Sequence, residues 1–139
     1  SYQKVEELFD LDPIYNEQIK NKPDQVELKL ILHKNYYIEN INNVKIILPS
    51  AGDSNEHVWH LFVIRTSNRE NLQNYLLSNG IQTLIHYPIP IHKQECYKDI
   101  NSNTLPITEL IHDEVLSLPI SPVMLLTEVV EIVRILNTF

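Results

Sequence analysis

Glycine is nearly missing from this chain: 139 residues carry only Gly52 and Gly80. That scarcity excludes a phosphate-cradling glycine-rich loop, because no GxGxxG and no GxxxxGK[ST] can be written with it. Cysteine is scarcer still. The lone Cys96 cannot form an internal disulfide or a cysteine metal cluster, which points to a reducing, cytoplasmic setting. Positive charge is in short supply: 11 Lys and Arg stand against 18 Asp and Glu, for a net charge of -7. That balance argues against a nucleic-acid partner, which needs basic residues to displace counterions, and against an anionic membrane surface. No apolar run is long enough to span a bilayer, and the first residues show no signal-peptide core.

What remains is ordinary for a globular domain. Hydrophobic residues make up 43% and charged residues 21% of the chain. A chain of this length fits one domain and buries roughly two-thirds of the surface its unfolded form exposes. "YQKVEELF" has the spacing of a short helix, broken at Pro13. Residues 24–40 read as a longer helix, with Asp24 as N-cap and Val26, Leu28, Leu30, Ile31, Tyr37 and Ile38 on apolar faces. "VKIIL" at 44–48 is a short β-branched strand stopped by Pro49. "HVWHLFVIRT" at 57–66 predicts a central strand with both faces apolar, Val58, Phe62 and Ile64 on one and Trp59, Leu61 and Val63 on the other.

"SNRENLQNYLLSNG" predicts a helix capped at Ser67 or Asn68, striped by Leu72, Tyr75 and Leu76, and ended by Gly80. "IQTLIHY" is the next strand, closed by "PIP". Residues 106–115 predict a helix opened by Pro106, "VLSLPI" a strand, and 123–138 a final amphipathic helix with Val129, Ile132, Val133 and Leu136 inward. The expected fold is α/β: a small three- to four-stranded, mainly antiparallel sheet packed against helices.

Chemistry has few places to sit. Of six histidines, His57 and His60 would face opposite sides of their strand and cannot chelate one ion together, and no HExxH or CxxC occurs. His60, in an apolar strand, reads as a hydrogen-bonded core histidine. Cys96 reads as a small buried hydrophobe in a short helical turn rather than a nucleophile. Arg65 reads as a surface residue able to reach an anion, and Asp113 with Glu114 as a solvated face. The stretch "GIQTLIHYPIPIHKQ" is different. It sets His86 and Tyr87 at a strand end, just before two prolines, with His92 following. Strand ends commonly carry ligand groups in α/β proteins, and an imidazole beside a phenol suits a hydroxylated ligand such as a sugar. The same residues also fit a structural role, with Tyr87 packed on the sheet edge and His86 capping a loop carbonyl.

The run "HVWHLFVIRT", then "R..L..YL...GI.TLIHYPIPIHKQECY", then "LPITELI.DEVLSLPISP", resembles the C-terminal part of the DegT-type sugar-nucleotide aminotransferases. These are fold type I enzymes dependent on pyridoxal phosphate (PLP). The resemblance runs from about residue 44 to Phe139, and the "HYPIPIHKQ" version is most similar to enzymes that aminate C3 of a dTDP-linked 3-keto-6-deoxyhexose.

The resemblance implies that residues 26–139 form the small C-terminal domain, which closes the substrate cleft in work toward a surface polysaccharide. It implies that His86 and Tyr87 contact the sugar nucleotide and that His92 lies nearby or supports the loop. PLP would belong to the intact enzyme, held by a large N-terminal domain through a Schiff-base lysine. Lys4, Lys20, Lys22, Lys29, Lys34, Lys45, Lys93 and Lys98 stand in no context similar to that lysine's. The chain alone is therefore expected to hold no PLP and to be inactive, with no catalytic residue of its own. "LDPIYNEQ" and "ELKLILHKNYYIENI" are similar to pieces of the family's long linking helix, but Pro13 and Pro23 interrupt it. Residues 1–25 are thus expected to be a divergent or rearranged segment. A missing large domain would leave an apolar face, and a homo-oligomer formed through it is expected. A stand-alone binding module that has lost its catalytic half is the alternative.

Overall fold

The computed structural model describes residues 23–50, 57–100 and 104–139. The helix expected at the extreme N-terminus lies outside them, as does most of the divergent segment. Helix α1 spans Pro23–Asn40. Strand β1 covers Phe62–Arg65 and is followed by α2, Arg69–Ser78. Two 3-10 turns, Ile91–Lys93 and Glu95–Ile100, lead toward α3, Pro106–Glu114. Strand β2, Val115–Leu118, and α4, Leu126–Thr138, complete the chain.

β1 and β2 are antiparallel, with Phe62 opposite Leu118 and Arg65 opposite Val115. The segments predicted as outer strands touch this ladder at one point each. Ile47 bridges to Arg65 on one side and Leu84 to Ser117 on the other, both antiparallel. The α/β class and antiparallel pairing are those expected, but the sheet is narrower. Single bridges replace full ladders because Pro49 ends one segment and the "PIP" step soon ends the other, and proline has no N–H to donate.

The strand expected over 57–66 starts late. Trp59 takes a left-handed φ of 51°, and its N–H is donated to His57 Nδ1 at 2.9 Å. A local side-chain acceptor of this kind competes with the ladder for the backbone donor. Val58 is consequently 72% exposed, and His60 is exposed rather than a core histidine. Only one face of β1 is fully buried, through Phe62 and Ile64.

The core collects Tyr37, Phe62, Ile64, Leu72, Leu76, Leu116, Val129 and Leu136, all fully buried. On α4 the four residues expected to face inward do so. On α1 the expectation fails in part. Tyr37 is buried, but Val26 and Leu28 are about half exposed, and the helix starts at Pro23, one residue before the expected Asp24 cap. α1 packs on α4, and the two are laced at their ends. Asn137 Oδ1 accepts the Asn42 N–H at 2.8 Å, and Asn137 Nδ2 donates to the Asn40 carbonyl at 2.8 Å.

Gly80 ends α2 with φ 79°. The Ile81 N–H reaches the Leu76 carbonyl at 2.9 Å and the Gly80 N–H reaches Leu77 at 3.0 Å, the paired bonds of a Schellman stop. At the other end Asn68 is the N-cap residue, but its side chain makes no cap bond to the backbone; its carbonyl oxygen accepts from Asn71 Nδ2 instead.

Candidate functional site

The site is built on the segment between Leu84 and Gln94. Leu84 fastens its start to β2: Ser117 donates its N–H to the Leu84 carbonyl at 2.8 Å, and Leu84 returns the bond at 3.3 Å. Two residues on, His86 lies on the same side as Leu84, and its Nδ1 is 2.9 Å from the Ser117 hydroxyl. The His86–Tyr87 peptide is cis, and the two rings meet edge to face at 5.5 Å. Tyr87 is 67% exposed. A cavity of about 170 Å³ adjoins His86 and is lined also by His60, Gln82, Ser117 and Pro119.

Helix α3 holds the rest of the segment through two histidines. His112 Nδ1 is 2.7 Å from the Tyr87 carbonyl, and since a carbonyl only accepts, Nδ1 carries the proton. His92 is buried, 4% exposed, and its Nε2 donates to the Glu109 carboxylate at 2.9 Å. Glu109 also accepts the Leu105 N–H at 3.1 Å, so one carboxylate caps the helix and grips the loop. These hydrogen bonds, His92 first, hold the Glu109 carboxyl below its ordinary value, with a smaller contribution from Lys93 at 3.7 Å.

Of the residues singled out from sequence, the structure brings His86 and Tyr87 together at one corner and places His92, enclosed, against Glu109 of α3. Ser117, Glu109 and His112 were missed. Ser117 had a signal, as the one polar residue in "VLSL"; Glu109 had a weaker one, three residues past Pro106 in the first helical turn. His112 had none, because its partner is a backbone atom 25 residues away.

Other expectations are corrected. Cys96 is exposed rather than a small buried hydrophobe, because its 3-10 turn lies on the surface. Arg65 is not available to an anion: its Nε and Nη2 both donate to Glu114 Oε2, at 3.0 and 2.7 Å. Glu114 is therefore half-buried and paired, not part of a solvated face. Among the described residues, no group of three or more His, Cys, Asp or Glu converges to hold a metal.

The fold and this corner can be compared with known proteins. The profile of the DegT/DnrJ/EryC1/StrS aminotransferase family matches residues 14–137. The chain belongs to this aminotransferase family. It is 53% identical over 104 residues to the dTDP-3-amino-3,6-dideoxy-alpha-D-galactopyranose transaminase of Aneurinibacillus thermoaerophilus, which covers 75% of this chain and 29% of that protein. It is 42% identical over 77 residues to the dTDP-3-amino-3,4,6-trideoxy-alpha-D-glucose transaminase of Streptomyces venezuelae, covering 54% of this chain and 20% of that one.

Among solved structures, S. venezuelae DesV in complex with a ketimine intermediate superposes with a TM-score of 0.77 at 30% identity, covering 83% of this chain and 32% of DesV. The Bacillus subtilis protein NtdA, solved with bound cofactor PMP, superposes with a TM-score of 0.70 at 29% identity, over 82% of this chain and 29% of NtdA. The chain thus spans under a third of the length of these relatives.

A PLP site would need a lysine able to form an imine in a cavity. Three of the described lysines are engaged elsewhere. Lys34 lies over the Trp59 ring at 5.1 Å, Lys45 Nζ donates to the Phe139 carbonyl at 2.6 Å, and Lys93 sits beside Glu109. Neither the 170 Å³ cavity nor the larger groove of about 830 Å³ between the Gly80 turn and α4 is lined by a lysine.

Proposed function

We propose that this chain is the small C-terminal domain of a PLP-dependent aminotransferase acting on a dTDP-linked 3-keto-6-deoxyhexose. The observation that carries the reading is the 53% identity to the galactopyranose transaminase over three-quarters of the chain. In the intact enzyme the domain closes one side of the substrate cleft. Amino transfer from glutamate then serves a cytoplasmic route to surface polysaccharide. PLP supplies the electron sink for the transfer, and the residues that hold it belong to the large domain. The chain alone is inactive.

The geometry supports distinct roles for the three predicted site residues. Tyr87 presents a largely exposed phenol on a backbone fixed by His112, which suits a group that meets a sugar hydroxyl. His86 is partly exposed beside it and serves the same ligand. His92 is enclosed, so its part is to support the loop through Glu109.

A domain swap tests this. The matching segment of the Aneurinibacillus transaminase is replaced by residues from this chain, and the chimera is assayed with PLP, glutamate and the dTDP-linked keto sugar. Turnover that falls at least tenfold in kcat/KM on His86→Ala or Tyr87→Phe is expected. A folded, PLP-loaded chimera without turnover would overturn the reading.

One observation fits a stand-alone interaction module and a detached domain alike. On α3, Ile107 and Leu110 are 74% and 51% exposed, an apolar face left uncovered. A homo-oligomer formed through that face is the corresponding proposal, and sedimentation of wild type against Ile107→Glu reads it.

A further inference from the structure

Ser117 is the only polar residue of β2, and it is 5% exposed. Its backbone groups are already committed to Leu84, so the ladder does not need the hydroxyl. Among the described residues, that hydroxyl has one hydrogen-bond partner, Nδ1 of His86 at 2.9 Å. Two arrangements fit the distance. The imidazole could donate from Nδ1, but the O–H of Ser117 would then have no protein acceptor among the described residues. Alternatively the serine donates to a bare Nδ1, and the ring proton sits on Nε2. A buried donor left unmade costs more than a spare lone pair on oxygen, so the second arrangement is favoured.

We infer that Ser117 is a positioning residue that donates to His86 Nδ1 and fixes the imidazole as its Nε2–H tautomer. His86 then offers a hydrogen-bond donor, not a base, to an acceptor oxygen of its ligand, whether hydroxyl, carbonyl or phosphate. The adjoining cavity of about 170 Å³, lined by His60 and Gln82 as well, has room for one such group and not for a whole sugar nucleotide. The identity of that ligand rests on the function proposed above; the tautomer does not.

The test uses the full chain with no substrate. Long-range proton–nitrogen NMR on nitrogen-15-labelled protein, at mildly alkaline pH, separates a protonated ring nitrogen from a bare one. His86→Gln assigns the signals. The expected result is a wide separation of the two ring-nitrogen shifts, with the proton on Nε2. Ser117→Ala should narrow that separation, as the tautomers mix, and Ser117→Thr should restore it by returning a hydroxyl. A proton on Nδ1 in the wild type, or identical ring shifts in wild type and Ser117→Ala, would overturn the inference. If the alanine variant does not fold, Ser117→Cys, which keeps the volume and donates only weakly, takes its place and should narrow the separation in the same way. An inactive domain swap beside an Nε2–H His86 would remove the proposed function and leave this inference standing.

Discussion

Replacing Tyr37 by Phe removes one oxygen atom and tests whether a single long-range bond holds the site's strand to the helical layer. Tyr37 is fully buried on α1, and its hydroxyl donates to the Pro119 carbonyl at 2.7 Å, 82 residues away. Pro119 directly follows β2 and lines both cavities, so this bond fixes the segment on which Ser117 and His86 meet. The phenylalanine ring keeps the contact with Phe62, whose centroid lies 4.8 Å away. The loss is then the hydrogen bond and an orphaned carbonyl, about 1–3 kcal/mol. At a urea slope of about 2 kcal/mol per molar, the midpoint falls by about 0.5–1.5 M. Trp59, the chain's one tryptophan and 3% exposed, reports the transition.

The pH dependence gives an independent check on Tyr37. Burial, with a smaller contribution from the Glu128 carboxylate, raises the Tyr37 phenol far above its ordinary 10.0. Above that pH the unfolded chain releases the proton and the native chain keeps it, so wild-type stability falls as pH climbs past 10.0. The gap between wild type and Tyr37→Phe should therefore narrow in alkali. Equal midpoints at neutral pH, or a gap constant through pH 10.0, would refute the reasoning.

Glu109 should titrate below the ordinary 4.5, and His92→Ala should raise it, as read by carbon-13 NMR of the carboxyl. Because its folded value is depressed, the stability it contributes is present above 4.5 and lost as pH falls through the folded value, and His92→Ala should flatten that acid limb. Gly80→Ala meets no atom within 4 Å, so its cost is the left-handed backbone alone, about 1–2 kcal/mol by thermal melting; Gly80→Asn should lose less. A double-mutant cycle on Arg65 and Glu114 should give a coupling of only about 0.5–1 kcal/mol, because Arg65 is 36% exposed and both nitrogens share one oxygen.

The helices were the legible part of this fold. Val129, Ile132, Val133 and Leu136 recur at helical spacing on α4, and burial of that face decides the element wherever the neighbours lie. The strands were legible only in position. "HVWHLFVIRT" is apolar on both faces, so its pattern does not say which face is buried, and nothing in it announces that the Trp59 N–H turns to a side chain two residues back. His60 lost its core place for that reason alone.

The site divides along the same line. His86 and Tyr87 were visible because they stand at the end of a strand before a proline step, a feature local to the sequence. The groups that give them geometry are not local: Ser117 is 31 residues from His86, and His112 is 25 from Tyr87. His92 and Glu109, 17 apart, carry the consequence. From sequence, His92 is read as lying near a ligand or supporting the loop. Only the packing of α3 against the loop turns it inward and gives it to a carboxylate. A histidine's surroundings here depend on which helix lies behind it, so candidate ligand groups were readable at the ends of elements and their geometry was hidden wherever two elements meet.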